Sequence, residues 1–127
     1  MKNLFLSLLA IFLTAGTISA TTFSSTHKKG LYEYIEPSTF CKLIRTGNYE
    51  AVKAMIENGT DINRKSTGLT PLMFAARYNK TDIVTLLINK GAKLKVKSDK
   101  GFTALQYAKM SKAHDSYSVI KEALEKK

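Results

Sequence analysis

The polar and apolar positions in "TGLTPLMFAARYNKTDIVTLLINKGA", residues 67–92, are set out like two short helices with their stops marked. Thr70 can cap a helix that starts on Pro71, where the missing N–H of proline costs nothing. Leu72, Ala75 and Ala76 then recur at helical spacing, and Asn79, a residue that tolerates the left-handed conformation, marks the stop. The next helix is expected to be capped by Thr81 and to carry Asp82 favourably in its first turn. Its apolar face is Ile83, Val84, Leu86 and Leu87, and Gly91 ends it. Stops this close together predict two antiparallel helices joined by a tight turn.

The same order recurs on both sides. Upstream, Gly47 and Asn48 separate "STFCKLIR" from "YEAVKAMIEN", which closes at Gly59; Arg45 to Arg77, Val52 to Val84, Ile56 to Ile88 and Gly59 to Gly91 are each 32 apart. Downstream, Gly68 to Gly101, Thr70 to Thr103, Leu72 to Leu105 and Ala75 to Ala108 are each 33 apart, which makes this an internal repeat. In the last copy the interhelical turn reads as expanded to "MSKAHDSYS" before a final helix, "VIKEALEKK". That helix places Val119, Ile120, Ala123 and Leu124 on one side and Glu122, Glu125, Lys126 and Lys127 outside, as a terminal cap would.

A Gly-x-Thr-Pro-Leu start, an Ala-Ala pair, an Ile-Val-x-Leu-Leu second helix and a closing Gly-Ala, all present in the middle copy, resemble the ankyrin repeat. The resemblance covers about residues 38–127, as repeats 38–66, 67–98 and 99–127. It implies an all-α solenoid of stacked helix-turn-helix units with short β-hairpin fingers. Where the family normally carries a histidine after Thr-Pro-Leu, the three copies have Cys41, Met73 and Gln106, so the usual histidine hydrogen bond is expected to be missing. The third copy has Ala104 in place of the proline. The link from Gly59 to Gly68 is one residue shorter than that from Gly91 to Gly101, which predicts a distorted first hairpin.

Ahead of the repeats, residues 1–20 have a charged start at Lys2, an apolar run from Leu4 to Leu13 and a small-residue exit through Gly16, Ser19 and Ala20. This is the layout of a bacterial-style signal peptide cleaved after Ala20, and it predicts export to the periplasm or the extracellular space. The apolar run is shorter than the about 20 residues of a membrane span, so no stable span is expected after cleavage. Residues 21–37 read as a mobile leader followed by a segment that covers the end of the array. With Cys41 as the single cysteine, no intramolecular disulfide can form, and the thiol is expected to be buried as a small hydrophobe.

Catalytic chemistry has little to draw on. His27 falls in the leader and His114 in the polar turn, neither in a ligand or acid–base spacing, and the glycines are accounted for by helix ends and turns. No enzyme activity, cofactor or metal is expected. Asn58-Gly59-Thr60 and Asn79-Lys80-Thr81 fit the glycosylation sequon, but both asparagines already have places at helix ends.

The charge points instead to a partner. Twenty Lys and Arg against ten Asp and Glu leave a net +10. Arg64, Lys65, Lys93, Lys95, Lys97 and Lys100 fall on the finger segments, and alternation through "KLKVKS" would put its three lysines opposite Leu94 and Val96. The resemblance implies a protein partner on the concave surface, with acidic proteins among the candidates. It carries the partner-binding positions onto Arg45, Leu69, Arg77, Tyr78, Lys97, Lys100, Phe102 and Met110. An immunity, an accessory and an effector role all fit. The alternative is an electrostatic binder of an anionic polymer or membrane surface through the basic fingers. Nucleic acid is not expected, since no aromatic platform interleaves the charges. A monomer is the default.

Overall fold

A computed structural model describes residues 37–126. The leader and signal-peptide readings on residues 1–36 therefore lie outside the described residues. Three helix pairs follow one another: α1 (Thr39–Thr46) with α2 (Tyr49–Glu57), α3 (Pro71–Arg77) with α4 (Thr81–Asn89), and α5 (Ala104–Met110) with α6 (His114–Glu125). Helices α1, α3 and α5 pack in sequence as one layer, and α2, α4 and α6 as a second. The middle pair is enclosed on both sides. Every residue from Pro71 to Ala76 is buried, as are Ile83, Val84, Leu86 and Leu87 of α4.

Local chemistry sets the helix starts. The side chains of Ser38, Asn48, Thr70 and Thr103 accept from the backbone N–H of Cys41, Ala51, Met73 and Gln106 respectively. Each satisfies one of the orphan donors of a first turn. The residues that replace the family histidine take part in this. Gln106 Oε1 accepts from the Thr103 N–H at 2.8 Å, and the Thr70 N–H points at Met73 Sδ at 3.3 Å.

Two helix starts differ from expectation. Lys80, not Thr81, is the N-cap of α4 and makes no side-chain cap. Thr81 is the first helical residue, and the Ile83 N–H is met by Asp82 Oδ1 at 2.8 Å. The turn of the third repeat is not expanded either. It spans residues 111–113, with Lys112 at φ 55° in the place of Asn79 at φ 52°, and α6 simply begins at His114. Ser116 conceals this in the sequence. It stands 33 residues after Ile83, fully buried, and breaks the apolar period with a hydroxyl.

That hydroxyl is satisfied from the neighbouring repeat. Asn79 Oδ1 accepts from Ser116 Oγ at 2.9 Å and from the Ser116 N–H at 3.2 Å, and Thr81 Oγ1 lies 3.2 Å from Ser116 Oγ. Helix α6 has no cap from its own N-cap residue, Ala113. Asn79 serves as its cap across the repeat boundary.

Between the pairs the chain forms fingers that are turns without strands among the described residues; one isolated bridge joins Ser66 and Leu69. The extra residue of the second link is absorbed at its tip. The first finger closes with Ser66 N–H to Leu69 O at 2.8 Å, the second with Ser98 N–H to Phe102 O at 2.8 Å. In the first, Thr67 (φ 51°) and Gly68 (φ 80°) both have positive φ, the requirement of a type I′ turn. A β-branched residue is strained there. The alternation through "KLKVKS" survives without a strand: Leu94 is buried and Val96 half-buried, whereas Lys93, Lys95 and Lys97 are exposed.

Candidate partner-binding site

The two fingers are tied to each other and to the helices behind them. The Asp99 N–H donates to Gly68 O at 3.0 Å, and Lys65 Nζ meets Asp99 Oδ1 at 3.2 Å. A Cβ on Gly68 would lie 2.8 Å from Asp99 Oδ2 and its φ is 80°, so both the approach and the backbone favour glycine. Behind the second finger, Tyr107 of α5 donates its buried hydroxyl to Ser98 Oγ at 2.9 Å, and the Phe102 N–H donates to the same oxygen at 3.2 Å. The Phe102 ring meets the Tyr107 ring edge to face, 5.9 Å between centroids at 79°. Backbone and ring of Phe102 are thus both held.

These contacts leave a groove of about 540 Å³ between the finger turns and the C-terminal ends of α3 and α5. Leu69 and Tyr107, both buried, line it together with Phe102, Met110, Arg77 and Lys100. Phe102 is 37% exposed and Met110 53%. Flexible methionine beside a fixed aromatic ring suits an apolar surface that adapts to what it meets. Arg77 is the last residue of α3, with Cζ 5.9 Å from the centroid of the Tyr78 ring. A guanidinium at this distance makes at most a loose cation–π contact, which leaves its N–H donors available to a carboxylate.

Of the eight expected partner-binding residues, the groove brings together Leu69, Arg77, Lys100, Phe102 and Met110. Tyr78, 39% exposed, stands beside Arg77 but outside the lining, and Lys97 on the second finger and half-buried Arg45 on α1 are outside it too. Leu69 differs from Phe102. It occupies the place of Phe102 one repeat earlier and also lines the groove, yet it is only 8% exposed and belongs to the hydrophobic core, so it does not project as Phe102 does. Sequence reasoning also passed over Ser98 and Tyr107, which position Phe102. A signal was present: a serine opens both finger turns, Ser66 and Ser98, and Ser66 Oγ likewise accepts a tie, from the Ser38 N–H at 2.7 Å.

Outside the groove, no group of three or more His, Cys, Asp or Glu among the described residues could hold a metal. His114 is exposed at the start of α6. Cys41 is buried, and burial pushes its thiol above the ordinary value against smaller opposing hydrogen bonds from Ser38 and Ser66. No helix among the described residues is long and apolar enough to cross a membrane.

Known proteins share this architecture. The family described as Ankyrin repeats (3 copies) matches residues 40–126. M-phase phosphoprotein 8 of Rattus norvegicus is 38% identical over 68 residues, 51% of this chain and 8% of that one. Dauer abnormal formation protein 25 of Caenorhabditis elegans is 37% identical over 76 residues, 58% of this chain and 20% of that one. A chain of the solved complex of the Bd0816 predatory endopeptidase from Bdellovibrio bacteriovorus with immunity protein Bd3460 superposes with a TM-score of 0.65 at 32% identity. The superposition covers 69% of this chain and 47% of that chain. This chain therefore spans a small part of those two curated relatives and about half of the solved neighbour. With three capped helix pairs, two stacked finger turns and a family match that runs through all of them, the chain belongs to the ankyrin-repeat family, whose repeats are protein–protein interaction modules.

Proposed function

We propose that this chain is an exported immunity-type protein that acts by binding, not by catalysis, and holds a partner endopeptidase inactive by covering it through the concave groove. The observation that carries this reading is the likeness to a chain from the complex of an endopeptidase with an immunity protein, at 32% identity and with a TM-score of 0.65. Two features support it. The groove offers apolar and cationic side chains that folding leaves exposed, Phe102, Met110 and Arg77. Residues 1–20 have the layout of an export signal, which would deliver the chain to the compartment where exported peptidases act.

The test is capture of partners from periplasmic extract by the natively expressed chain carrying a C-terminal tag, followed by titration against each captured hydrolase. An exported peptidase whose hydrolysis falls to background at one equivalent is expected. Phe102→Ala and Met110→Ala should each weaken that binding by about 1–3 kcal/mol with the fold retained. A captured partner without hydrolase activity would remove the immunity role, and N-terminal sequencing that finds intact Met1 in the membrane fraction would reverse export and cleavage.

A second reading, electrostatic binding of an anionic polymer or membrane surface, is favoured by the exposed row Lys93, Lys95 and Lys97. It predicts an affinity that collapses between low and high salt, whereas a packed protein interface survives the change.

A further inference from the structure

Among the described residues, the charges around the groove are not balanced. Asp99 is the one carboxylate in the lining, and Lys65 already faces it at 3.2 Å. Arg77 and Lys100 have no carboxylate within ion-pair distance among the described residues. Arg77 is exposed, with its Cζ 5.9 Å from the centroid of the Tyr78 ring, so its N–H donors are open to an incoming acceptor. The same groove is also lined by Phe102, held by Tyr107 and Ser98, and by exposed Met110. A basic occupant would meet uncompensated like charge. A purely apolar one would leave the forked donors of Arg77 without an acceptor and remove water from them. A small free anion would fill little of about 540 Å³ and leave the apolar wall wet.

We infer that the groove receives a segment of the partner protein in which a carboxylate side chain adjoins a bulky apolar one, the carboxylate on Arg77 and the apolar group against Phe102 and Met110. This rests on the groove being the recognition surface of the proposed function, but not on the partner being a peptidase. Arg77 supplies the selection for charge. Met110 and Phe102 supply the selection for size, and Lys100 adds long-range attraction without a fixed geometry.

The experiment is an amide NMR titration of the 15N-labelled chain with capped peptides whose ends carry no charge. The probes are acetyl-Ser-Gly-Phe-Asp-Gly-Ser-amide, the same peptide with Asn for Asp, and the same peptide with Ala for Phe. Shifts concentrated on the amides of Gly68, Lys100 and Ser111 are expected, with the Phe-Asp peptide at least about fivefold tighter than the Phe-Asn one. Arg77→Gln should abolish that fivefold difference, and Arg77→Lys should restore only part of it. Met110→Ala should weaken both Phe peptides alike and bring them towards the Ala-Asp peptide. Absence of groove shifts up to about 5 mM peptide, equal affinity for Asp and Asn, or a preference that persists in Arg77→Gln would each overturn the inference. Sedimentation of the chain with phosphatidylglycerol vesicles, together with indifference to the peptides, would assign the cationic groove to a lipid surface instead. The two proposals fail separately. A captured peptidase that binds Arg77→Gln undiminished removes this inference and spares the function, and a Phe-Asp preference with a non-hydrolase partner does the reverse.

Discussion

Helix α6 is capped by a side chain from the repeat before it, and removing that side chain should uncouple the third repeat from the second. Asn79→Gly is the informative change, because glycine accepts φ 52° as readily as asparagine does and removes only the side-chain acceptor. The acceptor takes two bonds across the boundary, from the Ser116 N–H at 3.2 Å and the Ser116 Oγ at 2.9 Å. Each is worth roughly 0.5–1.5 kcal/mol net. Asn79 itself is exposed, which moves the sum towards the lower end, about 1–2 kcal/mol. Ser116 is fully buried and keeps one alternative partner in Thr81 Oγ1 at 3.2 Å, so the hydroxyl is not orphaned outright. For a domain of this size, that loss should lower the melting temperature by about 4–16 °C. Glycine also loosens the unfolded chain, so a double-mutant cycle with Ser116→Ala is needed to isolate the contact. Urea unfolding followed by circular dichroism on the parent, the two single variants and the double variant should give a coupling energy of about 0.5–1.5 kcal/mol, the worth of the one bond to the hydroxyl. Additivity within about 0.3 kcal/mol would remove the hydroxyl bond as a contributor, and an Asn79→Gly variant as stable as the parent in the Ser116→Ala background would refute the cross-repeat cap, since alanine keeps the N–H that Asn79 accepts.

Leu87, fully buried in α4 between the flanking pairs, should cost about 2–5 kcal/mol when cut to Ala; thermal melting checks it, and an unchanged melt would contradict the stacked core. At the first finger, Thr67→Asn should stabilise by about 0.5–1 kcal/mol because asparagine accepts the positive φ that strains threonine. Gly68→Ala should destabilise by more than that, since its Cβ would meet Asp99 and its φ is 80°; denaturant midpoints of the pair measure both. The Cys41 thiol should react with iodoacetamide at pH 8 at least about a hundredfold more slowly in the native protein than in urea. Because burial raises its folded value above the ordinary 9.0, its contribution to stability is intact below that pH and is lost as pH rises through the folded value. A native thiol that labels at the unfolded rate would place Cys41 at the surface.

Much of the fold was legible because its punctuation is local. A threonine whose hydroxyl reaches the N–H three residues on, a proline at the first helical position and an asparagine in the left-handed region act within one turn, so Thr70, Pro71 and Asn79 could be placed from spacing alone. The faces of α3 and α4 followed from the helical period, and the repeats from equal separations of equal residues. Alternation through "KLKVKS" also held, because burial of Leu94 and Val96 requires only an extended path and not a strand.

What the tertiary structure decided lies at the contacts between repeats. A serine at an apolar position looked like the end of a pattern, since spacing alone does not show what its hydroxyl will meet. The partner is Asn79, one repeat away. Equivalent positions likewise looked interchangeable, but Leu69 is buried and Phe102 is exposed, because exposure depends on what the neighbouring unit lays against each place. The groove has the same origin: Arg77, Phe102 and Met110 share it only because α5 and its finger stack beside α3. Sequence determines a helix end through bonds that close within a turn, whereas a cap or a wall shared between repeats comes into being only when the repeats pack.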